Sequence, residues 1–168
     1  MGKKVEMLTN IIIITVALLV GAALIKQRLL AGASGKDSSA IKEISTGSKI
    51  SLPGMDWERN GKTLLLAIAP GCHFCSESAP FYRQLARETA DGKTKLIAVF
   101  PTPDSEGKNY LKELGVDISD VRQVPLDAIG ITGTPTLILV NKAGVVTMTW
   151  VGQLQPEAEA EVLSHLQP

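Results

Sequence analysis

Cys72 and Cys75 are the only cysteines in the chain, and just His73 and Phe74 lie between them. Two cysteines dropped at random into a chain this long would fall three apart roughly once in eighty tries, so the spacing carries information. Thiols one helical turn apart can close into a disulfide and reopen, taking or giving two electrons. A structural zinc site takes four ligands. The chain can hardly assemble them, because besides this pair it offers only His73, held between the two cysteines, and the distant His165.

The flanking residues show how the pair is held. Thr63 to Ala69 is an unbroken apolar run of strand length, and Pro70-Gly71 turns the chain sharply just before Cys72. After Cys75, Phe81, Tyr82, Leu85, Ala86 and Ala90 recur at helical spacing until Asp91-Gly92 ends the pattern. This predicts a buried strand, a turn, and a helix with Cys72 at its N-terminus. Unpaired N–H groups there favour a thiolate, and a cysteine so placed titrates below its free value of roughly 8.5. Cys72 is therefore the expected nucleophile. Cys75, one turn deeper, is the expected resolving thiol that releases a mixed disulfide. His73 has two readings, a positive charge beside the sulfur or an exposed linker residue of little weight. Phe74 is either an apolar contact for a partner or part of the rim.

The rest of the order follows the same logic. A second strand is expected over Lys95–Phe100, a helix from Asp104 to Leu114 ended by Gly115, and a short strand over Val121–Val124. Thr136–Val140 and Val145–Val151 read as a hairpin about Asn141-Lys142-Ala143-Gly144. A last helix starts near Pro156, with Glu157, Glu159 and Glu161 toward its positive end. Strands alternating with helices predict an α/β domain over residues 46–168, large enough for one core. Trp57 and Trp150 are expected to pack and His165 to lie on the surface.

These residues resemble the thioredoxin superfamily. Beyond the Cys-x-x-Cys pair, Pro80 resembles the proline that kinks the active-site helix, and Gly133-Thr134-Pro135-Thr136 resembles the cis-proline loop. The resemblance implies a thioredoxin-like fold, a central mixed sheet flanked by helices. It also implies that Pro135 faces Cys72 and that the Thr134 backbone pairs with an extended substrate segment. The strand-and-turn lead-in around Ile50-Ser51-Leu52-Pro53-Gly54, the long stretch between Cys75 and Pro135, and Val151-Gly152-Gln153 are similar to TlpA/ResA-type proteins, membrane-tethered relatives of thioredoxin that are often reductants in cytochrome c maturation or keep other extracytoplasmic thiols reduced. Three positions depart from the pattern. Gly71 stands where a tryptophan is common, Leu66 where thioredoxin carries a buried acid, and Ser78 where many tethered reductases carry a glutamate. Glu77 is adjacent, but one residue turns a helical side chain by about 100°.

The N-terminal segment supplies the tether. Met7 to Ile25 is a run of nineteen residues without a charge, spanning about 28 Å as a helix and close to a bilayer's hydrocarbon thickness of roughly 30 Å. Ala31-Gly32-Ala33 allows a rival reading as a signal-peptide cleavage site. Lys26 and Arg28 fall between the run and that site, which favours a retained anchor. The expected organisation is a tail at 1–6, a transmembrane anchor at 7–25, a flexible linker at 26–45 and the domain at 46–168. Basic residues flank the span on both sides and leave orientation open. The redox pair instead places the domain outside a bacterial cytoplasmic membrane, facing the periplasm, where disulfides persist.

The whole chain is formally neutral, with 17 basic and 17 acidic side chains. Residues 1–36 carry five Lys or Arg against one acid, which suits anionic lipid headgroups, and the mildly acidic remainder, with twelve against sixteen, gives no sign of nucleic-acid binding. The expected partners are protein disulfide or dithiol clients, a membrane electron donor or acceptor, and the bilayer, with no cofactor and no metal. The expected function is thiol-disulfide exchange, chiefly reduction. Oxidation or isomerisation is the first alternative. A copper chaperone using Cys72, His73 and Cys75 is an alternative of another class. A peroxidase is disfavoured because Ala69 stands where that chemistry needs Thr or Ser.

Overall fold

A computed structural model describes residues 44–166. The expected tail, the anchor at 7–25 and the linker as far as residue 43 lie outside the described residues. No helix among the described residues is long and apolar enough to cross a membrane.

Five strands form one mixed sheet in the order β3-β2-β1-β4-β5. They are β1 (Lys62–Ala67), β2 (Thr94–Phe100), β3 (Val121–Gln123), β4 (Thr136–Val140) and β5 (Val146–Val151). β1, β2 and β3 run parallel, while β4 lies antiparallel to β1 and β5 antiparallel to β4. The helices are α1 (Trp57–Asn60), α2 (His73–Glu77), α3 (Ala79–Glu88), α4 (Asp104–Glu113) and α5 (Pro156–Leu166).

Two successive parallel crossovers step the same way across the sheet, from β1 to β2 and from β2 to β3. Right-handed crossovers then place their helices on one face. The core agrees. Leu64 and Leu66 of β1 and Ala98 and Phe100 of β2 pack with Phe81, Tyr82 and Leu85 of α3, Tyr110 and Leu111 of α4, and Val162 and Leu166 of α5. Gly107 lets α4 approach closely, because a β-carbon there would sit 2.7 Å from the Phe100 ring. The alternate residues Leu65, Ala67, Ile97 and Val99 face the other side. That side is covered by Ile50, Leu52, Val124 and Ile131, from the lead-in and the connection before β4, not by long helices. Apolar residues on both faces explain why β1 reads as a continuous run without alternation.

The differences from expectation are local. The lead-in makes only an isolated bridge, Lys49 to Val145, in place of a strand. The four-residue α1 was not foreseen; Asp56 caps it by accepting from Arg59 N–H at 3.0 Å. The helix expected from Cys72 to Ala90 is divided at Ser78, and Pro80 lies in the first turn of its second half. Proline has no N–H to donate to the preceding turn, so the ladder breaks there. Trp150 is buried and donates to Glu161 at 3.0 Å, and His165 lies against its ring.

β3 is short and depends on a charge cluster at its start. Asp120 accepts from Arg122 Nε at 2.9 Å and stands 2.8 Å from Lys95 Nζ of β2. Burial opposes its charge, but the bonds from Arg122 and Lys95 prevail and hold its carboxyl below the usual aspartate range. A depressed carboxyl contributes stability above its unfolded pKa and loses it as pH falls through the folded value. Asp120→Asn should therefore cost about 1 kcal/mol at neutral pH. Urea melts at neutral and strongly acidic pH should show that deficit closing in acid.

Candidate active site

β1, the central strand, delivers the cysteine pair at its C-terminal end. After Ala67, Ile68 still donates to Val99 at 3.2 Å, and the chain then turns through Gly71, whose φ of 79° is a conformation that favours glycine. Cys72 is the extended residue that caps α2, and its Sγ accepts from the Cys75 N–H at 3.2 Å. The two cysteines are joined as a disulfide with Cα atoms 5.2 Å apart. Cys72 is half-buried, whereas Cys75 is fully buried. An incoming thiolate therefore has access to the Cys72 sulfur. In the reduced state the Cys75 N–H would donate to a Cys72 thiolate in a charge-assisted bond.

The loop before β4 closes the site from the other side. The Thr134–Pro135 peptide is cis. The Thr134 carbonyl oxygen lies 3.4 Å from Cys72 Sγ. In the disulfide this is a contact without a proton; once reduced, a Cys72 thiol has an acceptor there. Pro135 is buried, and its carbonyl accepts from Gly152 N–H at 2.7 Å, tying the loop to the end of β5. Thr136 Oγ1 donates to Gly133 at 2.8 Å and tightens the turn. Cys72, Cys75, Thr134 and Pro135 are thus brought together across 60 residues of sequence by the β1–β4 pairing.

His73 and Phe74 stand outside this contact set. His73 is exposed, and its Nε2 lies 3.1 Å from Glu77 Oε1 one turn on, so a positive charge there is matched by Glu77. Phe74 is 54% exposed. The only other exposed large hydrophobic residue among those described is Val151, at 61%, and it pairs with Thr136 beside the Pro135 loop. Both apolar surfaces border the site. The exposure of Val151 was not foreseen, although the outward phase of β5 relative to buried Trp150 carries that signal.

The Redoxin family profile matches residues 47–165. The chain belongs to the Redoxin family. No curated protein matches it significantly in sequence. Solved structures share its fold. A protein described as a thiol:disulfide interchange protein DsbE from Chlorobium tepidum superposes with a TM-score of 0.59 at 20% identity, covering 74% of this chain and 100% of the other. A thiol:disulfide interchange protein from a Bacteroides species gives 0.56 at 19% identity, covering 73% and 91%. StoA from Bacillus subtilis gives 0.53 at 16% identity, covering 64% and 84%. The fold is thioredoxin-like, with a central mixed sheet and a Cys-x-x-Cys pair at residues 72–75.

Proposed function

We propose that this Redoxin-family chain is a membrane-tethered, extracytoplasmic thiol-disulfide oxidoreductase that reduces disulfides in client proteins. The observation that carries the reading is the asymmetry of the pair. Cys72 is accessible, caps a helix and faces Thr134, while Cys75 is fully buried behind it. In the reducing direction the Cys72 thiolate attacks a client disulfide, forming a mixed disulfide and expelling one client thiolate. Cys75, losing its proton, then attacks Cys72 Sγ. The second client sulfur leaves and takes up a proton, and two electrons have passed from the dithiol to the client. Phe74 and Val151 give a client segment apolar contacts on either side of Cys72.

The uncharged run 7–25 supports the tether, and the persistence of disulfides outside the cytoplasm supports the periplasmic side. The TlpA/ResA-type resemblance makes cytochrome c maturation the first pathway to examine. Copper carriage is less well supported. His73 turns to Glu77, and His165 sits at the far end of the sheet, where its carbonyl accepts from Lys62 at the start of β1.

The test is the reduction potential of the Cys72–Cys75 pair, measured against dithiol and glutathione buffers. A reductase requires a value near or below roughly −270 mV; one near roughly −120 mV would instead make the protein an oxidant.

A further inference from the structure

Reduction of the pair leaves a sulfur at Cys75 where a thiolate is costly, since a fully buried anion needs hydrogen bonds. Neither position where the resemblance would put an acid carries one. Leu66 is completely buried and apolar, and Ser78 stands at the next turn of the helix. The groups that do line this face are hydroxyls. Cys75, Ser78 and Tyr82 follow one another at intervals of three and four residues, and across the division at Ser78 the helical turns are kept by Ser78 N–H donating to Phe74 at 3.1 Å and Tyr82 N–H to Ser78 at 3.2 Å, so the three share one face. Their exposures are 0%, 7% and 1%. Side chains on a helix lean toward its N-terminus, so Tyr82 lies over Ser78 and Ser78 over the turn that carries Cys75. The Ser78 hydroxyl confirms that lean by donating back to the Phe74 carbonyl at 2.8 Å.

The Tyr82 hydroxyl is buried with no hydrogen-bond partner in the disulfide form. It faces Ser78 without closing a bond to it. Burial pushes its phenol well above the usual tyrosine range, so it remains a proton donor at any physiological pH. An orphaned donor in a core is a cost that phenylalanine would avoid. Its retention makes sense if it has a partner in the other redox state.

We propose that Tyr82 is a positioning residue that orients Ser78, whose hydroxyl hydrogen-bonds the Cys75 sulfur once the disulfide opens and so supports the Cys75 thiolate without a buried carboxylate. Tyr82 donates to Ser78 Oγ, and Ser78 turns its own proton from the Phe74 carbonyl to the sulfur. The hydroxyls keep their protons. The proton released by Cys75 goes to solvent or to the departing client thiolate. This inference rests on the oxidoreductase reading and adds the group that tunes its buried thiol.

The test uses the full-length chain in detergent, comparing wild type, Tyr82→Phe and Ser78→Ala. In glutathione buffers Tyr82→Phe should shift the dithiol–disulfide equilibrium about tenfold toward the disulfide, equal to a potential about 30 mV more negative. Resolution of a Cys72–glutathione mixed disulfide by Cys75 should slow about tenfold at neutral pH, with its pH profile displaced to the alkaline side. Ser78→Ala should reproduce both effects. The melting temperature of oxidised Tyr82→Phe should equal or exceed that of wild type, since it loses only an unpaired hydroxyl. An unchanged equilibrium and pH profile would overturn the inference, as would destabilisation of the oxidised form. A wild-type pair that never exchanges with glutathione would overturn the oxidoreductase reading as well, so the two failures are distinguishable.

Discussion

Cys72→Ser should lower thiol-disulfide exchange by at least about 10³-fold, and Cys75→Ser should leave the first attack intact while halting turnover. The difference comes from position, since both residues carry the same thiol. Cys72 is partly exposed and its Sγ receives the Cys75 N–H at 3.2 Å, whereas Cys75 is fully buried. With Cys75 removed, the mixed disulfide between Cys72 and a client has no internal nucleophile to resolve it. Reduced Cys75→Ser protein, mixed with a peptide disulfide at neutral pH, should therefore release one equivalent of peptide thiol and stop. Mass spectrometry should then find the other half of the peptide on Cys72. Release of two equivalents, or a stable adduct on Cys75 in the Cys72→Ser protein, would reverse the assignment. In cells the same Cys75→Ser chain should accumulate client adducts outside the cytoplasm, and their absence would count against both the activity and its location.

Much of this arrangement was legible from residue types. β1, β2 and β4 announce themselves because they are apolar on both faces, and the turn to Cys72 because Pro70-Gly71 interrupts such a run. The hairpin turn was readable from Asn141, whose side chain accepts from Ala143 and Val145 N–H groups as an asparagine in a tight turn does. The helix break at Ser78 was harder, since the apolar spacing continues through Phe81, Tyr82 and Leu85 and masks the missing hydrogen bond at Pro80. The lead-in looked like a strand because Ile50 and Leu52 alternate with exposed residues, but they use that alternation to cover the back of the sheet. Proximity across the chain could not be read locally. Resemblance alone placed Thr134 and Pro135 opposite Cys72. The orphaned hydroxyl of Tyr82 is a property of packing that periodicity records only as one more core residue.

The absence of a buried acid can be tested by restoring one. Leu66 is fully buried on β1, between Ala98 of β2 and Leu137 of β4, in the cluster that holds Cys75 and Tyr82. Both of those cross-strand neighbours are apolar and offer a carboxylate no cationic partner. Leu66→Asp should destabilise the domain by about 4–5 kcal/mol at pH 7, combining lost apolar burial with the cost of the charge. For a domain this size that corresponds to a fall in Tm of roughly 15–20 °C. The sign of the pH dependence separates the two contributions. Burial raises the folded pKa of the new carboxyl above its unfolded value of about 3.9, so the native state holds a proton that the unfolded state has lost. Stability should then fall as pH rises between those two values and level off above the folded one. Leu66→Asn, similar in size but unable to ionise, should show only a pH-independent loss relative to wild type. Equal melting temperatures for the two variants at pH 7 would mean that the site already solvates a charge, and the hydroxyl support inferred for Cys75 would then be unnecessary. A wide gap at pH 7 that closes in acid would show that this interior rejects a carboxylate, leaving Ser78 and Tyr82 as the polar groups on the helical face that carries Cys75.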